Sequence, residues 1–454
     1  MTTALNTTDY IKSTSRDYSI YVCQTRGIPS VCDGLKDAQR KALFVIKPKG
    51  DKIKTISLAG EMISQNVYLH GDASAAETLS LMAAPYCNNI PLLQGIGAFG
   101  TKVGPTDWGA ARYTYLKRNN LTDNLVFTDY DIIPLKENYD GSVWEPKNYL
   151  PLVPMVLLNG ISGIAVGWST DILPRTLDDL IEATLAAIDG KKIKTLAPRY
   201  DYLSCKVRNV VGNTWEFTGR CRIDGSTVWV DELPPDLSLE KFKARLNAME
   251  DEGKIQTYID RSTKEIRIEI RFKRGTISDW DEDTAIEYFK LRSKATERLV
   301  VLDFSGNNVR QFENPEQLVK EFVDWRLGWY DVRYRKLIDD ASYQLNWNMA
   351  IRACIGAKLP SFLPQAKDKA EIVAKIHQIM DSTKITLDDD QIDRIAALPS
   401  YRWAQDTLAE VQAKIKELTD TIADHQSVLA DPAKQREIYK REVAALRKLS
   451  KVER

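Results

Sequence analysis

The chain has 454 residues, and its 63 Lys and Arg balance 63 Asp and Glu, so the formal net charge is zero. That length exceeds one typical core and predicts two or three domains, while the neutral sum excludes a protein that binds polyanions through bulk charge alone. No apolar run is long enough to span a bilayer, and the opening residues Met1-Thr2-Thr3-Ala4-Leu5-Asn6 are polar, which predicts an intracellular protein without a signal peptide or membrane partner. The six cysteines are dispersed with no C-x-x-C pair, so reduced thiols are expected and no metal site of cysteine type.

From about residue 9 to 170, short helical patterns alternate with Gly/Pro turns. Lys36, Arg40, Lys41, Lys47, Lys49, Lys52 and Lys54 face only Asp37 and Asp51, a local basic stretch suited to phosphate contacts. Residues 58–65 and 73–83 read as two short helices joined across Tyr68-Leu69-His70-Gly71-Asp72, a spacing that suits a helix-turn-helix module. The second of them is poor in Arg and Lys, so it is expected to fit shape and backbone rather than read bases. Gly109-Ala110-Ala111-Arg112-Tyr113-Thr114 then sets a phenol beside a guanidinium. A tyrosine oxygen can attack a phosphodiester and hold the phosphorus covalently, while arginine stabilises the charge that spreads over the equatorial oxygens. A surface tyrosine with no chemistry is the competing reading of the dipeptide alone.

Residues 175–314 read as a second, α+β block. Ile266, Ile268, Ile270 and Phe272 alternate with Arg267, Glu269, Arg271 and Lys273, the period of a half-buried strand with a charged outer face. Residues 207–211, 214–217 and 227–230 add short strands, and 239–249 and 281–292 read as helices. The third block, 315–454, is helical. Leu318, Phe322, Trp325, Trp329 and Val332 form one heptad seam, and Ala404, Leu408, Val411, Ile415, Leu418, Ile422, His425 and Leu429 form another. Between them Leu359-Pro360, Leu363-Pro364 and Leu398-Pro399 interrupt any continuous helix, which predicts an arm with a compact tip. Pro432 starts a further helix or kinks this one. Asp388-Asp389-Asp390 reads as a solvated acidic run, and no Walker A glycine loop is present.

Five ordered stretches carry a resemblance: Arg26-Gly27-Ile28-Pro29 with Asp33-Gly34-Leu35-Lys36, Tyr68-Leu69-His70-Gly71-Asp72, Leu93-Gln94-Gly95-Ile96-Gly97, Ala111-Arg112-Tyr113-Thr114, and Pro154-Met155-Val156-Leu157-Leu158-Asn159-Gly160 with Gly163-Ile164-Ala165-Val166-Gly167. In this order they resemble the breakage-reunion subunit of type IIA DNA topoisomerases, densely over residues 18–177 and more loosely to the C-terminus. The run Glu145-Pro146-Lys147-Asn148-Tyr149-Leu150-Pro151 looks like the eukaryotic and T4-like phage members.

The resemblance implies a winged-helix breakage-reunion domain over 1–174, an α/β tower domain over 175–314, and over 315–454 an antiparallel coiled-coil arm whose knob, about 359–400, dimerises as a gate. It implies Tyr113 as nucleophile, Arg112 as electrostatic stabiliser and His70 in proton shuttling or phosphate contact. Arg26, Lys36, Arg40 and Lys41 are implied DNA contacts, and Ile172 a wedge between base pairs. Cys32 and Gln39 stand where the family often has a basic residue and a histidine, so part of the phosphate cradle is expected to be weaker. The implied partners are double-stranded DNA, a second copy of the chain, and one or more chains bringing ATP hydrolysis and a Toprim domain that holds Mg²⁺. If phage-encoded, the protein would act in a bacterial cytoplasm. An inactive DNA-binding and dimerising scaffold would share the helix pair and arm, and a tyrosine recombinase would place its tyrosine near the chain's end.

Overall fold

A computed structural model describes residues 7–399 and 405–452, and contacts within it divide the chain into a larger unit, Met1–Arg326 with Tyr439–Arg454, and a smaller one, Leu327–Ile438. The fold is mixed α+β. In the larger unit the helix Asp37–Ile46 begins where the Gln39 side chain accepts from the Lys36 backbone N–H at 3.0 Å, and it buries Ala42, Leu43, Val45 and Ile46. Gln39 is thus a helix cap, a role in which a histidine is not needed. The next two helices, Thr55–Ser64 and Asp72–Ala83, pack on each other and match the pair expected at 58–65 and 73–83. Beside them three short strands form an antiparallel sheet in the order Ile53–Lys54, Tyr115–Lys117, Gln94–Ile96. A hairpin of Ile161–Ala165 and Trp168–Ile172 turns at Gly167, whose φ of 77° suits glycine.

Further along, a four-stranded antiparallel sheet runs in the order Arg220–Asp224, Thr227–Glu232, Ile268–Arg271, Thr257–Asp260. Its inner face contributes Val228, Val230, Ile268 and Ile270 to a core completed by Phe242, Leu246 and Phe289 from the helices Leu239–Asp251 and Glu282–Tyr288 and the residue that follows. The alternation expected for 266–272 is therefore present, with one correction. Glu269 is not solvated: it is buried between Arg261 and Arg271, each within 2.7 Å. The helix expected over 281–292 also stops early. Lys290 takes a left-handed conformation, φ 54°, and Arg292–Thr296 pairs as a strand with Thr214–Thr218, which in turn pairs with Lys206–Val211.

The helix Pro315–Gly356 is continuous for 42 residues. Its buried stripe in the larger unit is Leu318, Val319, Phe322, Val323 and Arg326, and in the smaller unit it continues through Tyr330 and Tyr334. This displaces the expected seam: Trp325 and Trp329 are half-buried and Val332 is 42% exposed. The reason is chemical, because the stripe turns on a buried guanidinium. Arg326 is bound to Asp129 and donates to the Pro151 carbonyl, partners that hydropathy does not register. Within the smaller unit Leu408, Val411, Ile415, Leu418, Ile422, His425 and Leu429 are the covered stripe of the helix Gln405–Leu429, as the heptad predicts, and Ala404 lies outside the described residues. His425 meets Tyr334 edge-on, with ring centroids 5.5 Å apart. Short helices fill residues 359–396 around Leu359, Ile376, Ile379, Met380, Ile392 and Ile395. Asp388 caps one of them by accepting from the Gln391 N–H at 2.7 Å. Pro432 opens the last helix, Pro432–Val452.

Candidate active site

Tyr113 stands on a tight turn in which its N–H donates to the Ala110 carbonyl at 2.8 Å. The turn is fastened on one side to the start of the helix Thr55–Ser64, where Ile56 N–H reaches the Ala111 carbonyl and the hydroxyls of Thr55 and Thr114 lie 2.8 Å apart. On the other side Gly109 N–H donates to the Ala98 carbonyl at 2.9 Å. With its backbone so held, the Tyr113 side chain is 69% exposed. The Arg112 guanidinium lies over its ring, 4.7 Å from the centroid. The pair is presented to solvent rather than packed, which a tyrosine serving only the core would not be.

A cavity of about 650 Å³ opens elsewhere on the same unit, and Arg26, Lys36, Lys41 and His70 all line it. Arg26 is exposed at the end of the π-helix Cys23–Gly27. Lys36 donates from Nζ to the Ser162 carbonyl at 2.9 Å, and burial pushes its pKa down. His70 is exposed and packs edge-on against Tyr68, with centroids 5.3 Å apart. Tyr113 and Arg112 do not line this cavity.

The hairpin Leu135–Glu137 with Trp144–Pro146 supplies what the sequence reading missed. Lys136 and Glu145 are paired across it and face the helix Asp37–Ile46. Lys41 Nζ sits 2.9 Å from Asp37 and 3.2 Å from Glu145, and Lys136 Nζ sits 3.2 Å from Asp37. Burial would raise the Asp37 carboxyl, but Lys136, Lys41 and Arg40 together hold it below its ordinary value. Glu145 is pushed up, since burial outweighs the two lysines. Lys41 is raised because its carboxylates outweigh its burial. The signal for this network was a glutamate, Glu145, opening the run used for the resemblance.

Two expectations are corrected here. Arg40 is only 5% exposed and makes a two-pronged ion pair with Asp33, at 2.7 and 2.9 Å, while also donating to the Leu35 carbonyl. Asp33 further accepts from Tyr149 N–H, and Tyr149 Oη donates to the Arg40 carbonyl. Its Nε and Nη2 donors are committed inward, so in this structure Arg40 braces the cavity's support rather than presenting its fork to solvent. Lys41 is covered in the same way but remains on the cavity wall. Ile172, expected as the wedge, is instead only 2% exposed at the base of its hairpin, packed in the core. On the same hairpin Ile164, next to the turn, is 85% exposed. The motif reading passed over it because both isoleucines lie in one short run and exposure is set by the hairpin's register.

Among the described residues no group of three His, Cys, Asp or Glu is placed to hold a metal ion. The carboxylates of Asp37 and Glu145 are occupied by Lys41 and Lys136. That pair is therefore committed to ammonium groups and offers a magnesium ion no open set of donors. No helix among the described residues is long and apolar enough to cross a membrane.

The sequence matches the family of DNA gyrase/topoisomerase IV A subunits over residues 26–444. It is 32% identical over 330 residues to the putative mitochondrial DNA topoisomerase 2 of Caenorhabditis elegans, covering 68% of this chain and 28% of that protein. To the DNA topoisomerase medium subunit of Enterobacteria phage T4 it is 27% identical over 419 residues, covering 88% and 90% of the two. The crystal structure of the Plasmodium falciparum topoisomerase II DNA-binding, cleavage and re-ligation domain shares its fold, with a TM-score of 0.86 at 23% identity over 98% of this chain and 65% of that one. The chain thus spans 28% of the length of the nematode relative and 21% of the DNA topoisomerase 2-alpha of Gallus gallus. Since the family match begins at Arg26 on the cavity wall, takes in the Arg112–Tyr113 turn and runs through the long helices into the last one, the chain belongs to the family of DNA gyrase/topoisomerase IV A subunits.

Proposed function

We propose that the protein is the DNA-cleaving and religating subunit of an ATP-dependent type IIA topoisomerase. The observation that carries this is the exposed Tyr113, held on a fixed backbone with the Arg112 guanidinium 4.7 Å from its ring. Tyr113 Oη attacks a backbone phosphorus, the bond from phosphorus to the 3′ oxygen breaks, and the phenolic proton leaves as the 3′ oxygen gains one. The product is a 5′-phosphotyrosine ester and a free 3′ hydroxyl, and the reverse step reseals the strand. Because one phosphoester replaces another, the bond is kept for religation. Arg112 leaves the Tyr113 ring to stabilise the charge on the phosphoryl oxygens. Arg26 and Lys36 hold the strand, His70 moves a proton or contacts phosphate, and Ile164 takes the wedge role that the resemblance implied for Ile172.

In this reading residues 1–174 form the winged-helix domain, 175–314 the tower and 315–454 the coiled-coil arm with its two ends, 315–326 and 439–454, rooted in the larger unit, and about 359–400 the dimer gate. Two copies act on double-stranded DNA, opening a duplex for a second to pass. Mg²⁺, which supplies Lewis-acid stabilisation when bound, and ATP are held by a Toprim- and ATPase-bearing partner chain or chains. The similarity to the phage T4 medium subunit supports a phage-encoded protein working in a bacterial host.

The test is Tyr113→Phe in the reconstituted complex. It is expected to bind DNA and to leave ATP hydrolysis intact while forming no covalent protein–DNA adduct, whereas Tyr115→Phe forms it. An adduct that survives Tyr113→Phe overturns the assignment of Tyr113 as nucleophile, and a wild-type complex that never forms one makes the chain a scaffold instead.

A further inference from the structure

The loop between Gly100 and Trp108 leaves and rejoins the tyrosine-bearing segment at one point. Phe99 and Trp108 form a bridge, Gly109 N–H closes on the Ala98 carbonyl, and Tyr113 follows four residues later. The tip is built rather than loose: Thr101 N–H donates to the Gly104 carbonyl, Gly104 N–H to Thr101 Oγ1, and Gly100 takes φ 91° where an added Cβ would meet the Pro105 carbonyl oxygen at 2.2 Å. This tip docks on the four-stranded sheet region. Val103 packs against that region's apolar core. Lys102, its side chain 10% exposed, places Nζ 2.8 Å from Glu232 and 2.9 Å from Glu265.

Glu232 is fully buried at the end of the strand Thr227–Glu232. One of its oxygens accepts from Ser204 N–H, Ser204 Oγ and Lys102, and the other has no hydrogen-bond partner among the described residues. Lys102 is the cation on this buried carboxylate. A charge pair so covered is weak evidence of stabilisation by itself, since an apolar pair of like size often does as well. Its value lies in geometry. A loop pinned at its tip by one apolar contact and by a lysine shared between two carboxylates fixes the strand ends at its base, and the Arg112–Tyr113 turn continues from that base.

We infer that Lys102 and Glu232 are positioning residues for strand cleavage: they lock the tyrosine-bearing segment to the sheet of residues 220–271, so that the placement of that sheet sets the placement of Tyr113. The inference rests on the cleavage reading above, and its test separates the two. In the reconstituted complex, Lys102→Met should slow adduct formation by about 10²-fold, the scale of a 1 Å misplacement of a reacting group, with DNA affinity unchanged. Lys102→Arg should restore the rate. The double variant Lys102→Met with Glu232→Gln removes both charges and should recover wild-type thermal stability yet still cleave slowly. In the isolated chain, the same double variant should exchange the amides of residues 109–114 faster than wild type. Wild-type cleavage by the double variant would overturn the inference and leave the function standing, as would unchanged exchange at 109–114. Lack of any adduct with the wild-type complex would instead remove the reading on which it rests.

Discussion

Arg40 shows how far one side chain's role depends on its surroundings. As a surface phosphate contact its loss would weaken DNA binding and leave stability untouched. Buried on Asp33, its loss strands a carboxylate that is itself fully buried. Arg40→Ala is therefore expected to destabilise the fold by about 3–5 kcal/mol, read by denaturant unfolding, and a variant of wild-type stability with weakened DNA binding would refute the assignment. The two isoleucines of the hairpin make a matched pair. Ile172→Ala should cost about 2–5 kcal/mol as a core cavity, whereas Ile164→Ala should change stability by no more than about 0.5 kcal/mol. If Ile164 is the wedge, its alanine variant alone should lose DNA bending, measured by energy transfer between the ends of a labelled duplex.

At the scale of elements, the cavity depends on a hairpin and a helix meeting through charge. The Asp37 carboxyl is held below its ordinary value of 3.8 by Lys136, Lys41 and Arg40, so it contributes stability above that value and loses it as pH falls through the depressed one. Glu145 has the opposite sign: raised above 4.5, it favours the folded state below that value and loses this as pH rises through the raised one. Asp37→Asn should thus flatten the acid limb of the stability curve, followed by unfolding midpoints at stepwise lower pH; an unchanged limb would show the network to be inert. The other hairpin meets the Arg26 segment by close backbone approach. A Cβ at Gly163 would lie 2.0 Å from the Gly27 carbonyl oxygen and 3.2 Å from Lys36 Nζ. Gly163→Ala should push the hairpin off this segment, lowering both stability and DNA affinity, and normal values for both would contradict the packing.

For the whole molecule, the last helix decides where the chain's end belongs. Tyr439, Val443 and Leu446 are buried, and Tyr439 Oη donates to the Leu152 carbonyl at 2.8 Å, so residues 439–454 are part of the larger unit. A chain ending at Ile438 should melt well below the full one, because each such side chain contributes about 1.5–3 kcal/mol through burial. The proposed gate gives a separate expectation. Replacing residues 359–399 by a short Gly/Ser linker should turn a dimer into a monomer in sedimentation without unfolding the larger unit, and a persistent dimer would place the contact elsewhere.

Periodicity and motif order by themselves determined the helix pair at 58–65 and 73–83, the alternation at 266–272, the covered stripe of residues 408–429 and the family to which the chain belongs. These are local or one-dimensional signals: side-chain period, turn chemistry and the order of short motifs survive without knowing what packs on what. Burial of charge did not survive that reading. Arg40, Arg326 and Glu269 carry charges that hydropathy assigns to the surface, yet each is enclosed because the fold brings an opposite charge onto it, from seven residues away for Arg40 to 197 for Arg326. The contrast between buried Ile172 and exposed Ile164 has the same origin, since which isoleucine faces solvent is fixed by hairpin register and by what covers its base. Tertiary structure also gathered Lys36, His70, Lys136 and Glu145 around one cavity and set Lys102 on Glu232, 130 residues away in the chain. Charges pair through space, where separation of a few ångströms decides the energy, and sequence distance carries no information about it.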